Sequence, residues 1–208
     1  PVGDKPYQVT EGIIEAFPPL PEATVTSNEK YVVYTGKMFE RFGVKALIDG
    51  FRRLQDENYR LVLCGKGDCE EYARSAQAED PRIMFLGQVS PEEAISWQSR
   101  ASAVINPRSV VEEYTRYSFP SKNIEYLLSG KPVVGYFLEG MPQVYRDFMC
   151  CIDPTLPAEE AIAAKLDEVL RCDSATLLEK NKRFFDYARK PLSAAGIAQS
   201  IIDLTTVS

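Results

Sequence analysis

Histidine is missing from all 208 positions of this sequence. Without imidazole the chain can form no Ser-His-Asp or Cys-His nucleophilic site, no histidine general base and no histidine metal ligand. Any chemistry falls to carboxylates, lysines, arginines and backbone dipoles. Also missing are an apolar run long enough to cross a bilayer and a signal-peptide pattern. Cysteine is sparse and unpatterned: Cys64, Cys69, Cys150, Cys151 and Cys172 make an odd number without regular spacing. Buried thiols in a reducing cytoplasm are the expectation, rather than a disulfide framework or a metal site. Nor is there an excess of positive charge. The formal net charge of −6 argues against a general nucleic-acid or anionic-membrane surface and leaves any phosphate site to be built locally.

What the chain does have is 45% hydrophobic content, enough to bury the core of one domain, or of one domain with an appendage. Residues 1–29 read as a connecting arm, with Pro18, Pro19 and Pro21 close together and a polar end at Thr26 to Glu29. Within it only Tyr7 to Val9 and Ile13 to Ile14 are suited to pairing or packing. Residues 30–208 read as the folded domain. There, short apolar runs at Tyr31 to Tyr34, Leu61 to Cys64, Ile83 to Leu86, Ala103 to Ile105, Pro132 to Val134 and Cys150 to Ile152 predict strands.

Between them lie segments of helical spacing. Val44 to Leu54 is one, Asp68 to Ala78 a second, with Asp68 as its cap, and Ser90 opens a third as cap, with Pro91 in the first turn and Glu93 completing a capping box. The apolar face of that third helix is read as Ala94, Ile95 and Trp97. Helices are also expected over Ser118 to Leu128, Pro157 to Leu170, Lys180 to Arg189 and Ser193 to Leu204. Strands apolar on both faces and alternating with helices imply an α/β, Rossmann-like three-layer sandwich around a parallel sheet of about six strands. Ligands of such sheets bind beyond the carboxyl ends of the strands, at the loops of Gly36, Gly65, Gly87, Asn106 and Gly135.

Four of these loops invite a chemical reading. Gly65-Lys66-Gly67-Asp68 begins like a dinucleotide fingerprint, but Glu70 stands where its third glycine belongs, and Asp68 and Glu71 would repel a pyrophosphate; it reads as a structural turn. At Thr35-Gly36-Lys37, Gly36 allows close backbone approach, and Lys37 with Arg41 supplies positive charge; alone it reads as a solvated loop lysine. Asn106-Pro107-Arg108 follows a strand, and Arg108 either faces a ligand or pairs with Glu112 or Glu113. Tyr136 to Pro142 reads as a lid or a plain turn.

The strongest segment is Ser118 to Val134, SFPSKNIEYLLSGKPVV. Pro120 and Ser121 suit a first helical turn whose free N–H groups favour an anion, and Lys122 adds a full charge there. Glu125 falls on a face adjacent to Ser121 and Lys122, where a carboxylate can accept both hydroxyls of a ribose.

The order of TGKMFERFGVKALIDGF, RLVLCGKGD, RIMFLGQVS and AVINPRSVVEEYTRYSFPSKNIEYLLSGKPVV resembles the C-terminal domain of the large, mainly retaining glycosyltransferase family with the two-domain B-type fold, which includes many bacterial surface-polysaccharide enzymes. The resemblance runs from about Gly12 to Asp153. It implies a donor-binding half that moves a sugar from a nucleotide diphosphate sugar to an acceptor, a sugar or a lipid-linked one, held by an N-terminal domain to which residues 1–29 would connect. By the same resemblance Glu125 holds the ribose, Lys37 and Lys122 the diphosphate, and the backbone of Gly87-Gln88-Val89 the base, with Gly36, Arg41, Arg108 and Ser121 as further donor contacts. No metal or cofactor is implied for this half, and no nucleic acid. A cytoplasmic enzyme is implied, peripheral to the inner membrane face only through the N-terminal domain.

Two positions depart from the family pattern. Tyr117 stands where a glutamate commonly precedes the ribose carboxylate by eight positions, with Glu112 and Glu113 as upstream substitutes. Phe42 stands where a lysine commonly precedes the glycine at position 43, leaving Arg41 or Lys122 to carry its charge. A nucleotide-binding regulatory module and an NAD-dependent Rossmann oxidoreductase remain as alternatives. A sugar-nucleotide epimerase shares the B-type fold but uses a histidine near the donor, which this chain lacks.

Overall fold

A computed structural model describes residues 12–14, 28–109 and 121–206. Its elements follow one another as β1 (Lys30–Thr35), α1 (Val44–Arg52), β2 (Tyr59–Cys64), α2 (Glu70–Glu79), β3 (Ile83–Gly87), α3 (Pro91–Arg100), β4 (Ala103–Asn106), α4 (Ser121–Leu128), β5 (Val133–Tyr136), α5 (Tyr145–Phe148), β6 (Cys150–Ile152), α6 (Ala158–Arg171), α7 (Ser174–Ala188) and α8 (Ala194–Thr206). A 3-10 turn, Glu40–Phe42, precedes α1. The six strands form one parallel sheet in the order β3-β2-β1-β4-β5-β6. Right-handed crossovers in that order place α1 and α2 on one face and α3 and α4 on the other. The order reverses direction between β1 and β4, so the crevice where a ligand belongs opens beyond Thr35 and Asn106.

Burial explains why these runs are strands. Val32, Val33, Leu61, Val62, Leu63, Ala103, Val104, Ile105, Val133 and Val134 have no exposed surface, as a sheet covered on both faces requires. Each buried large aliphatic side chain contributes roughly 1.5–3 kcal/mol of transfer free energy. Cys64, Cys69 and Cys150 are buried with them, and burial pushes each thiol up to about 11. Cys151 is half-buried and Cys172 exposed.

Three sequence expectations need correction. Asp68 does not cap α2: that helix starts after Cys69, and the Asp68 carboxylate accepts the Glu40 N–H at 2.9 Å across the neighbouring loop. The cap of α3 is as expected, Ser90 Oγ accepting the Glu93 N–H at 3.2 Å, but its buried face is not: Ile95 is 61% exposed and Gln98 is 2% exposed. Helix α7 begins at Ser174, six positions ahead of the expected Lys180. The short α5 had no signature in the sequence.

Of the connecting arm, Ile14 is buried, forms a parallel bridge with Ser193 and donates its N–H to Leu192 O at 2.8 Å. Ile13 is exposed. Residues 1–11 and 15–27 lie outside the described residues, as do Glu112, Glu113, Tyr117 and the segment from Ser118 to Pro120. The loop after β5 is a tight turn, with Met141 N–H donating to Leu138 O at 3.0 Å, and buried Leu138 and Met141 pin it to the core.

Candidate functional site

Beyond the ends of β1 and β4 the chain leaves a depression of about 180 Å³ lined by Tyr34, Thr35, Gly36, Lys37, Phe42, Asn106, Arg108, Ser121 and Lys122. Three of these are cations, and among the described residues none that lines the depression is acidic, in a chain whose net charge is −6. Such a local reversal of sign is what an anion site needs. A volume of 180 Å³ falls short of the roughly 300–1,000 Å³ of a drug-sized ligand pocket.

Local structure places each cation. Lys37 projects from the turn after β1, where Gly36 N–H donates to Cys64 O at 2.9 Å and Tyr34 Oη donates to the Lys37 carbonyl at 2.7 Å. The buried Tyr34 ring, whose hydroxyl burial pushes well above its ordinary range, thereby sets the turn from beneath. Arg108 enters from the loop after β4 and stacks on Phe42, its guanidinium carbon 5.1 Å from the ring centroid; Arg41 lies at 5.1 Å from the same ring and 5.2 Å from Phe39. Phe42 thus has a guanidinium on it from each of two loops, one of which reaches the depression. Lys122 stands in the first turn of α4, half-exposed, its ammonium 2.7 Å from Glu125 Oε2 and 5.6 Å from the Tyr126 ring.

Glu125, one turn along α4, is exposed and lies beside the depression rather than in its lining. Its two oxygens are held separately, Oε2 by Lys122 and Oε1 by Gln98 Nε2 at 2.8 Å. Arg41 is exposed and also outside the lining. Gly87 ends β3, with Gln88 and Val89 in the loop after it, two strands and roughly 10 Å from β1. Gly87 O accepts the Gly65 N–H at 2.7 Å, Gln88 is exposed and Val89 half-buried. Of the residues named from the sequence, the fold gathers Gly36, Lys37, Arg108, Ser121 and Lys122 at one depression, sets Glu125 beside it, and leaves Arg41 and residues 87–89 on its outskirts.

Sequence reasoning missed Tyr34 and Gln98, and put Asn106 at the ligand-binding end of the sheet without giving its side chain a role. Asn106 Nδ2 donates to Asn123 Oδ1 at 2.7 Å, and Asn123, 1% exposed, faces Met141 and Met149 Sδ at 3.7 Å each, so a buried amide aims Asn106 at the depression. The one available signal for Gln98 was its place four positions after Ala94, on the face read as apolar.

The Gly65 turn is filled by the protein itself. At φ 145°, a Cβ on Gly65 would lie 1.7 Å from Gly36 O, and one on Gly67 would lie 2.4 Å from Met38 O. Met38 N–H donates to Lys66 O and Cys69 N–H to Met38 O, each at 2.9 Å. The glycines admit the neighbouring loop, which supports a structural turn over a pyrophosphate loop. Among the described residues no group of three or more Cys, Asp or Glu is placed to hold a metal ion, and no helix is long and apolar enough to cross a membrane.

A doubly wound parallel sheet with a cationic depression at its switch point defines a Rossmann-like domain with a candidate anion site. The sequence profile of the family described as glycosyl transferases group 1 matches residues 16–191, and the chain belongs to that family. Among curated proteins no sequence relative was found.

Solved structures of similar fold include HepE of Anabaena in complex with UDP and glucose, with a TM-score of 0.64 and 17% identity, over 87% of this chain and 49% of that one. WaaG, a glycosyltransferase involved in lipopolysaccharide biosynthesis, gives 0.61 and 16% over 77% and 44%. The C-terminal domain of the group 1 family protein LpcC from Francisella tularensis gives 0.60 and 17% over 77% and 84%. The chain spans about half the length of HepE and WaaG, and its fold matches one half of the two-domain glycosyltransferase B-type fold.

Proposed function

We propose that this chain is the donor half of a glycosyltransferase, binding a nucleotide diphosphate sugar at the switch-point depression and stabilising its diphosphate as the leaving group. The observation that carries the reading is the gathering of Lys37, Arg108 and Lys122, from three separate segments, around one depression in an acidic chain. Preorganised charge aimed at a developing anion is the largest contribution in many such reactions, and the first turn of α4 adds its dipole. Glu125 is the ribose acceptor and Gly87 to Val89 the seat of the base, on the open surface that the small depression leaves for them. Phe42, in place of the family's lysine, is offset by Arg108, which it stacks into the depression.

This half supplies no base and requires no metal; catalysis with retention and the acceptor, in surface polysaccharide or glycoconjugate synthesis, belong to the complete two-domain enzyme in the cytoplasm. HepE with UDP and glucose, and WaaG in lipopolysaccharide biosynthesis, support the donor class and the pathway.

The test is calorimetry with UDP, GDP, their hexose conjugates, UMP, GMP and NAD. Diphosphates should bind tighter than the matching monophosphates, and Lys122→Ala should erase roughly tenfold or more of that preference, the scale of a charge-assisted hydrogen bond. Equal affinity for mono- and diphosphates would sink the assignment. Tighter binding of NAD than of any sugar nucleotide would move it to an oxidoreductase, and indifference to the sugar to a regulatory module.

A further inference from the structure

Glu125 sits on an exposed helix face, where a carboxylate ordinarily samples several rotamers, yet a ribose acceptor must present a fixed oxygen. The structure holds this carboxylate in a closed ring of hydrogen bonds that joins three elements. Gln98 of α3, 2% exposed, donates from its single amide nitrogen to Glu125 Oε1 on α4 and to Thr35 Oγ1 at the end of β1, both at 2.8 Å. The next residue on α4, Tyr126, closes the ring: its hydroxyl accepts the Thr35 N–H at 2.8 Å and donates to Thr35 O at 3.0 Å. Burial pushes the Tyr126 hydroxyl well above its ordinary range, so it stays a donor.

The orientation of the Gln98 amide follows from chemistry, because a carboxylate can only accept and its carbonyl oxygen there would repel Glu125. No such constraint fixes Lys122. Its ammonium is on the half-exposed side of Glu125 and lines the depression, so it is exchangeable, whereas Gln98 is locked in the core.

We infer that Gln98 is a positioning residue for nucleotide recognition: it fixes the plane of the Glu125 carboxylate, so that when a diphosphate draws Lys122 away, Oε2 is left open to the ribose hydroxyls while Oε1 stays tethered. This rests on the reading of Glu125 as the ribose acceptor. It makes the sugar-edge specificity of the site depend on a residue of α3 that touches neither phosphate nor ribose. It also links that specificity to Thr35, whose own carbonyl leads into the Gly36-Lys37 turn, so ribose and diphosphate contacts share one buried brace.

The experiment compares UDP with 2′,3′-dideoxy-UDP, and GDP with 2′,3′-dideoxy-GDP, by calorimetry on the full chain and on Gln98→Met, Gln98→Asn, Glu125→Gln and the Gln98→Met/Glu125→Gln pair. Methionine keeps the volume of Gln98 and removes its donor; asparagine keeps an amide too short to reach both partners. The wild type should prefer the ribonucleotide about tenfold or more. Gln98→Met should lose most of that preference while binding the dideoxy form within about twofold of wild type, and the double variant should discriminate no worse than Glu125→Gln alone, the signature of two residues acting as one. Preference lost in Glu125→Gln but retained in both Gln98 variants overturns the positioning role and leaves Glu125 in place. Preference retained in Glu125→Gln removes the ribose reading itself.

A measurement without ligand covers weak binding or a variant that fails to fold. In wild-type protein the Gln98 side-chain amide protons should exchange slowly by NMR, and Glu125→Ala should shift at least one of them. Fast exchange, or no shift, overturns the proposal.

Discussion

At the scale of single residues, the structure repeatedly pairs a charge with a buried polar partner. Arg82, just ahead of β3, is 8% exposed and donates two bonds to the Asp80 carboxylate, Nε to Oδ1 at 3.0 Å and Nη2 to Oδ2 at 2.8 Å, while Nη1 donates to Leu54 O at 2.6 Å. These side-chain bonds from Arg82 hold the Asp80 carboxyl below the usual carboxylate range. A depressed folded-state value stabilises the fold above the unfolded-state pKa, about 3.9, and the contribution disappears as pH falls through the folded-state value. Asp80→Asn should therefore cost about 3 kcal/mol at neutral pH by stranding a buried guanidinium, and the cost should shrink below pH 4. Urea denaturation at pH 7 and pH 3 measures both; an equal loss at the two values would refute the pairing as the cause. Glu125 is a different case, since its ion pair with Lys122 is solvated and is worth little to stability. Its significance is positional.

At the scale of elements, close backbone approach decides where loops sit. Gly43 starts α1 at φ 81°, and a Cβ there would lie 2.2 Å from Pro107 O, in the loop that carries Arg108. The left-handed backbone and the contact both exclude a side chain. Gly43→Ala should lower stability by about 2 kcal/mol or more and displace Arg108, so diphosphate affinity should fall together with the melting temperature. Calorimetric melting with and without UDP separates the two losses, and an unchanged melting temperature would show that the loops do not meet as described. The alternation of strands and helices was legible because doubly covered strands are continuous apolar runs and helices recur at their own spacing, and so were five of the lining residues, because glycine, lysine, arginine and serine at strand ends and helix starts carry a local signal. Gln98 was not legible. A polar side chain on a face shared with Ala94 looks like an ordinary surface residue until α3 is laid against β1, and only then do Thr35 and Glu125 meet its amide.

At the scale of the whole molecule, the fold matches one half of a two-domain architecture, and the depression lies at its switch point. The 208-residue chain should bind a nucleotide diphosphate sugar without turning it over to acceptors, and EDTA should leave that affinity unchanged. Product formation by the purified chain, measured with a radiolabelled donor, would count against the division of labour, and loss of affinity in EDTA against metal-free binding. The absence of histidine, the spacing of apolar runs and the SFPSKNIEY segment are determined by the sequence alone, and together they set the fold class, the excluded chemistries and the helix that carries Lys122 and Glu125. Each is a local property, readable within a few turns of chain. What only the tertiary structure decided is which distant groups meet: Arg108 with Phe42, Gly65 with Gly36, Gln98 with Glu125. The strand order that sets β1 between β2 and β4 creates these contacts, and no periodicity along the chain encodes distances between residues that sheet pairing and crossovers bring together.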